Sequence, residues 1–219
     1  MRGLTADRFL LAVSPMDQAL SPASFRLTLG KESFLAFTPL LQRGIRVAAR
    51  VGGSLRGLLE DQFGLNPEYL KERIKTVFLD GKPVDDWDAA LVHDGSVLAL
   101  SGAMPGLAGA TLRRGGFFAG LRSQITHRER QSPLPPEEGR VTVKLFNLLI
   151  PEAGPLFLER GIFLSPEEFE ELRKSLGDES GKEAAEKDSI RRETGEARRI
   201  GPAGPGEPEW VFLSVRFRG

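Results

Sequence analysis

The chain has no cysteine. Disulfides, thiolate metal sites and cysteine nucleophiles are therefore excluded. Histidine is almost as scarce, with His93 and His127 alone. A site with several histidine ligands cannot be built from one chain, and a catalytic imidazole would have to be one of these two. Net charge is also missing: Lys plus Arg total 30 and Asp plus Glu total 30. A protein that grips nucleic acid over its whole surface is usually basic, so any anion binding must come from a local patch. There is no long hydrophobic run. Phe9–Val13 is too short for an export core, and Leu98–Leu112 is broken by Pro105 and glycines and is shorter than a bilayer needs. These absences predict a protein with no metal, no cofactor, no catalytic residue and no membrane partner, located in the cytoplasm.

What is present is enough for a core: 219 residues with 40% hydrophobic content. Residues 1–23 read as a docked arm, with Thr5 capping a short helix that carries Phe9, Leu10 and Val13. "SFRLTL" (24–29) and "IRVAARV" (45–51) alternate apolar and polar side chains and read as half-buried strands. "SLRGLLEDQF" reads as a helix capped by Ser54, and "NPEYLKER" as a second helical start capped by Asn66. Asp80-Gly81 between apolar segments signals a hairpin, and a strand Val97–Leu100 enters through Asp94-Gly95.

Further on, "HRERQSPLPPEEGR" (127–140) reads as a proline-stiffened linker. "VTVKLFNLLI" (141–150) reads as a long strand, and "PLFLERGIFL" as a hairpin or bend at Arg160-Gly161. "SPEEFEELRKSL" has a capping box of Ser165 and Glu168 and an apolar stripe of Phe169, Leu172 and Leu176. Residues 177–209 have almost no apolar side chains, which predicts disorder. "WVFLSVRFR" closes the chain as a strand, expected to pair with Val141–Ile150.

The stretch from Phe25 to Gly109 resembles the β-grasp sulfur carriers, the ThiS and MoaD group. The resemblance rests on "IRVAARV", its glycine turn, "SLRGLLEDQF", "VFLDGKPV" and "LVHDGSVLALSG", with Leu91, Asp94, Gly95 and Val97 at matching positions. It implies a β-grasp, ubiquitin-like domain over 24–112; with the readings above, the chain is expected to be α+β, with an Arg-rich connector and linker over 113–140 and a smaller strand-rich part with one helix over 141–176 and 210–219. Carriers of that group end in Gly-Gly, whose terminal carboxylate is adenylated and receives sulfur. Here Gly115-Gly116 lies inside the chain, and only cleavage after Gly116 would free such a carboxylate.

Two stretches carry possible site chemistry. Gly102, Gly106, Gly109, Gly115 and Gly116 could offer backbone amides to an anion, but no phosphate motif is met, and small residues that let the segment lie on the sheet explain them more simply. Arg113, Arg114, Arg122, Arg128 and Arg130 stand against Glu129 with Phe117 and Phe118 among them. That composition suits an anion or nucleic-acid contact, with Arg113, Arg114, Arg122, Gly115 and Gly116 as the candidate site. The plainer reading is a solvated segment whose Phe117 and Phe118 enter the core, with Met104 and Leu107 facing inward. His93 reads as a turn residue, Glu167, Glu168, Glu170 and Glu171 as favourable to a helix start, and Trp87 and Trp210 as core or edge aromatics. The leading expectation is a non-enzymatic interaction or adaptor module that meets another protein through a grasp-type sheet. An anion or nucleic-acid binder and a modified sulfur carrier are the alternatives.

Overall fold

A computed structural model describes residues 23–118, 126, 135–179, 189–192 and 210–218. The expected arm before residue 23 lies outside these, as do the linker residues 127–134. The chain forms an α+β structure on a mixed sheet of nine strands. They are β1 (Ala23–Gly30), β2 (Ile45–Val51), β3 (Thr76–Leu79), β4 (Lys82–Pro83), β5 (Val97–Ser101), β6 (Glu137–Phe146), β7 (Ile162–Leu164), β8 (Ser189–Arg192) and β9 (Val211–Arg218). Their order in space is β4-β3-β5-β6-β2-β7-β9-β1-β8. The pairs β5–β6 and β1–β9 are parallel and the rest antiparallel. The join between β2 and β7 is narrow, a single residue pair, Arg46 with Phe163.

The helices are α1 (Thr38–Arg43), entered through a 3-10 segment Lys31–Phe37, and α2 (Leu55–Gly57), which widens into a π-helical turn Leu58–Gln62. They continue with α3 (Pro67–Glu72), α4 (Gly106–Leu112), α5 (Leu149–Arg160) and α6 (Pro166–Glu179). Local chemistry sets their starts. The Ser54 hydroxyl accepts from Gly57 N at 3.2 Å and the Asn66 side chain from Glu68 N at 2.7 Å. At α6 the capping box is reciprocal: Glu168 N donates to Ser165 Oγ at 3.2 Å, and Ser165 N to Glu168 Oε2 at 2.9 Å. Asp80 and Gly81 both have positive φ (50° and 79°), as the tight turn between β3 and β4 requires. The Asp80 carboxylate then accepts from Val97 N at 2.6 Å and Ser96 Oγ at 3.0 Å, tying the hairpin to β5.

Alternation in the strands separates two faces. Ile45, Val47, Ala49 and Val51 of β2, Val141, Val143 and Leu145 of β6, and Leu213 and Val215 of β9 are buried on one face. The core that includes them also holds Phe37, Leu41, Leu59 and Phe157 from the helical segments.

Several expectations are corrected. The closing strand β9 does not pair with β6. It runs parallel to β1, with Phe25, Leu27 and Leu29 opposite Leu213, Val215 and Phe217, and antiparallel to β7. The reason is register: the apolar positions of β1 and β9 coincide along the full strand, so both bury the same face. The long strand expected over 141–150 ends at Phe146, and the expected bend at Arg160-Gly161 is the end of a helix. Within α5, Leu149, Ile150, Ala153, Gly154, Phe157 and Leu158 are buried, a helical repeat. Pro151 sits in the first turn, where its missing N–H costs little, and burial of that stripe outweighs the one bond that Pro155 forfeits inside. Gly161 then takes φ 105°, which stops the helix. In the stretch expected to be disordered, α6 continues to Glu179 and Ser189–Arg192 pairs with β1. A backbone ladder on an open strand edge needs no apolar side chain. Residues 137–140, assigned to the linker, belong to β6.

Candidate interaction surface

The second face of the sheet is less uniformly buried: Phe163, Thr76 and Ser101 are buried there, while its charged positions are half-buried or exposed. Register sets Arg46 against Thr142, Ala48 against Arg140 and Arg50 against Glu138 between β2 and β6, and Ala99 beside Lys144 between β5 and β6. Arg46, Arg140, Thr142 and Lys144 are half-buried, and Arg50 and Glu138 exposed. On β1 and β9 the same face carries Arg26, Arg216 and Arg218, all exposed, between Ser24, Thr28 and Ser214. Among the described strand residues, Glu138 is the one acid on this face. Two glutamates reach its arginines from helices: Glu168 lies 3.5 Å from Arg46 and Glu159 2.8 Å from Arg216. The arginines on β2 and β6 result from the same alternation that buries the valines beside them.

Aromatic rings organise part of this face. Phe163 and Phe212 face each other across β7 and β9 with centroids 5.2 Å apart. Trp210, just before β9, takes the Arg46 guanidinium at 4.5 Å and the Arg140 guanidinium at 5.8 Å from its ring centre. Arg140 also stands 5.0 Å over Phe163. Stacking of this kind fixes the guanidinium plane and leaves its N–H edges as donors.

The residues singled out in the sequence fare unevenly. Arg113 is exposed, while the Arg114 guanidinium lies 3.8 Å over the buried Trp87 ring. Burial, with Arg56 nearby, lowers the Arg114 pKa from its ordinary value. Arg56 itself is raised by its hydrogen bonds to Asp88 and Glu60, and Asp88 is lowered by the same contact. Arg114 thus stacks on the fold through its ring contact with Trp87. Gly115 and Gly116 form the turn beyond it, with Gly116 N donating to Arg113 O at 3.2 Å. Arg122, Arg128, Arg130 and His127 lie outside the described residues. Gly109 is a packing residue: a Cβ there would stand 2.0 Å from Met104 O. The inward orientation expected of Leu107 is not found. It is exposed, because the short α4 turns that side to solvent; Phe117 and Phe118, beyond α4, are exposed too, while Met104 is half-buried. His93 is a turn residue whose N–H donates to Ser96 Oγ.

Other polar clusters serve packing. Glu152 is held below the usual carboxylate range by hydrogen bonds from Arg73 and then Tyr69, and tethers α3 to α5. A hollow of about 120 Å³ lies nearby, lined in part by Arg73, Lys75, Gly102 and Asn147. It is well below the roughly 300 Å³ of ordinary small-molecule sites. Among the described residues no group of three or more acids and histidines is placed to hold a metal, and no helix is long and apolar enough to cross a membrane. The residues that sequence reasoning missed are Arg26, Arg140, Lys144, Arg216 and Arg218, and the partnership of Trp210 with Arg46. The signal was the alternation in "GRVTVKLF" and "WVFLSVRFR", which set each cation opposite an apolar face.

Comparison with protein-family models, curated proteins and solved structures finds no match to this chain.

Proposed function

We propose that the protein is a non-enzymatic interaction module that docks another protein on the second face of its sheet. One observation carries this: among the described strand residues, that face carries a row of cations and a single acid, Glu138, with Glu168 and Glu159 reaching Arg46 and Arg216 from helices, while the opposite face is buried in the core. A surface so one-sided in charge attracts and orients a partner of opposite charge.

The reading extends to the fold. The half of the sheet made by β4, β3, β5, β6 and β2, with α2 following β2, is a β-grasp in which β6 lies beside β2 in place of β1. Support comes from the role of the Asp94-Gly95 turn, one of the matching positions. Arg140 N donates to Asp94 Oδ1 at 2.7 Å and Gly95 N to Arg140 O at 2.8 Å, so the turn before β5 grips β6.

A photo-crosslinking amino acid at Ala48, on the cationic face, tests the docking reading against one at Asp61, beyond α2. In native cells a discrete crosslinked product is expected from position 48 and none from 61. Equal products from both positions, or none from 48, would remove the assignment.

A further inference from the structure

The chemistry of the partner follows from spacing, and this step rests on the docking reading above. Along a strand, side chains on one face recur about every 6.8 Å. Arg46 and Arg50 on β2, and Arg140 and Lys144 on β6, are each two such steps apart, about 13.5 Å. The register places Arg50, Arg140, Arg46 and Lys144 at successive steps along the two strands, and an extended polypeptide has the same repeat, so carboxylates on alternate residues match the row.

The centre of the row is the Trp210 cluster. Two guanidiniums share one indole, at 4.5 and 5.8 Å. The carboxylate given to Arg46 is Glu168, at 3.5 Å, and its Oε2 already accepts from Ser165 N at 2.9 Å. The indole N–H of Trp210 is buried and finds no acceptor among the described residues. A single-stranded nucleic acid would need open ring faces for its bases. Here Trp210 is capped by Arg46, and Phe146 and Phe212 are half-buried. The zero net charge also disfavours a polynucleotide. We infer that the face recognises an acidic protein segment in extended form, with Arg46 and Arg140 over Trp210 seating its two central carboxylates and Arg50 and Lys144 its flanking ones.

Fluorescence anisotropy of a labelled alternating Glu-Ser dodecapeptide, with labelled oligo-dT as the comparison probe, tests this on the full chain at low and moderate salt. The peptide is expected to bind more tightly than oligo-dT. Affinity should fall about tenfold in the Arg46→Gln/Arg140→Gln variant, as expected when charge-assisted hydrogen bonds are removed. A Lys71→Gln control should bind as the parent does. Because the first pair also packs on aromatic rings, Arg50→Gln/Lys144→Gln is the second variant; it should weaken binding and flatten its salt dependence while melting like the parent. Tighter binding of oligo-dT, lost in the same variants, would overturn the acidic-segment inference and leave the docking face standing. Absence of binding by both probes, or binding insensitive to all four substitutions, would overturn both.

Discussion

Replacing Gly161 with alanine places a methyl group where α5 hands over to β7. Two penalties follow. The backbone there has φ 105° and ψ 141°, a conformation that residues with a Cβ adopt at a cost of about 1–3 kcal/mol. The new Cβ would also stand 2.1 Å from Phe212 Cζ and 2.6 Å from Cε2, whereas carbon atoms rest about 3.5–4.0 Å apart. The ring has to withdraw, yet it leans on Phe163, which is 1% exposed and has little room to give. Overpacking of this sort costs about 1–3 kcal/mol. The expected loss is therefore about 2–6 kcal/mol, read as a lower urea midpoint with an unchanged slope. Gly161→Ala combined with Phe212→Ala separates the two parts, because the second change removes the overlap and keeps the strain. The double variant should be more stable than the sum of the single effects implies, by about 1–3 kcal/mol. A Gly161→Ala protein within about 0.5 kcal/mol of the parent, or strict additivity, would refute the close approach of Phe212 as the reason for glycine.

Tyr69 is the chain's single tyrosine, so ultraviolet titration reports it alone. Burial first, then the Glu152 carboxylate, pushes its pKa up to about 12. Because the folded value lies above the ordinary one, this stabilising contribution is complete at lower pH and is lost as pH rises through about 12. Glu152→Gln should lower the midpoint, and a parent midpoint at the ordinary tyrosine value would contradict the arrangement. Ser165→Ala removes one arm of the α6 capping box and should cost about 1 kcal/mol in chemical denaturation, with no loss counting against the observed reciprocal bonds. Arg114→Ala should lower thermal stability by the roughly 0.5–2 kcal/mol of a partly buried cation–π contact, whereas Arg113→Ala should leave it unchanged. Equal effects at both positions would show that the Trp87 contact does not distinguish them.

Local chemistry was the most readable part of the sequence. Ser54, Asn66 and the Ser165–Glu168 box all cap the helices assigned to them, and Asp80-Gly81 makes its turn, because each signal acts within four residues. What failed was partnership at a distance. β9 carries the right apolar face, but nothing local says that β1 rather than β6 matches it. Helix α5 was concealed by Pro151, Gly154 and Pro155, residues that disfavour helix, although the spacing of its apolar residues was there to be counted. The arginine-rich stretch drew attention by its density, and within it Arg114 stacks on Trp87, a contact between residues 27 apart that no local pattern announces. The cationic face was inconspicuous because its members are scattered along the chain. They form a surface only once β1, β2, β6 and β9 share a sheet.

The insertion of β6 between β2 and β5 has a consequence for how the molecule is made. During synthesis the residues from 45 to 101 emerge well before residues 137–146, so both β2 and β5 wait with an unpaired edge. The parallel pairing of β9 with β1 waits longer still, until residues 211–218 have been produced. Such distant pairings make folding slow, and an edge left open in the meantime can be taken by another nascent chain. The strand that completes the sheet thus arrives late, and the interval before it is when the protein is most exposed to misassembly.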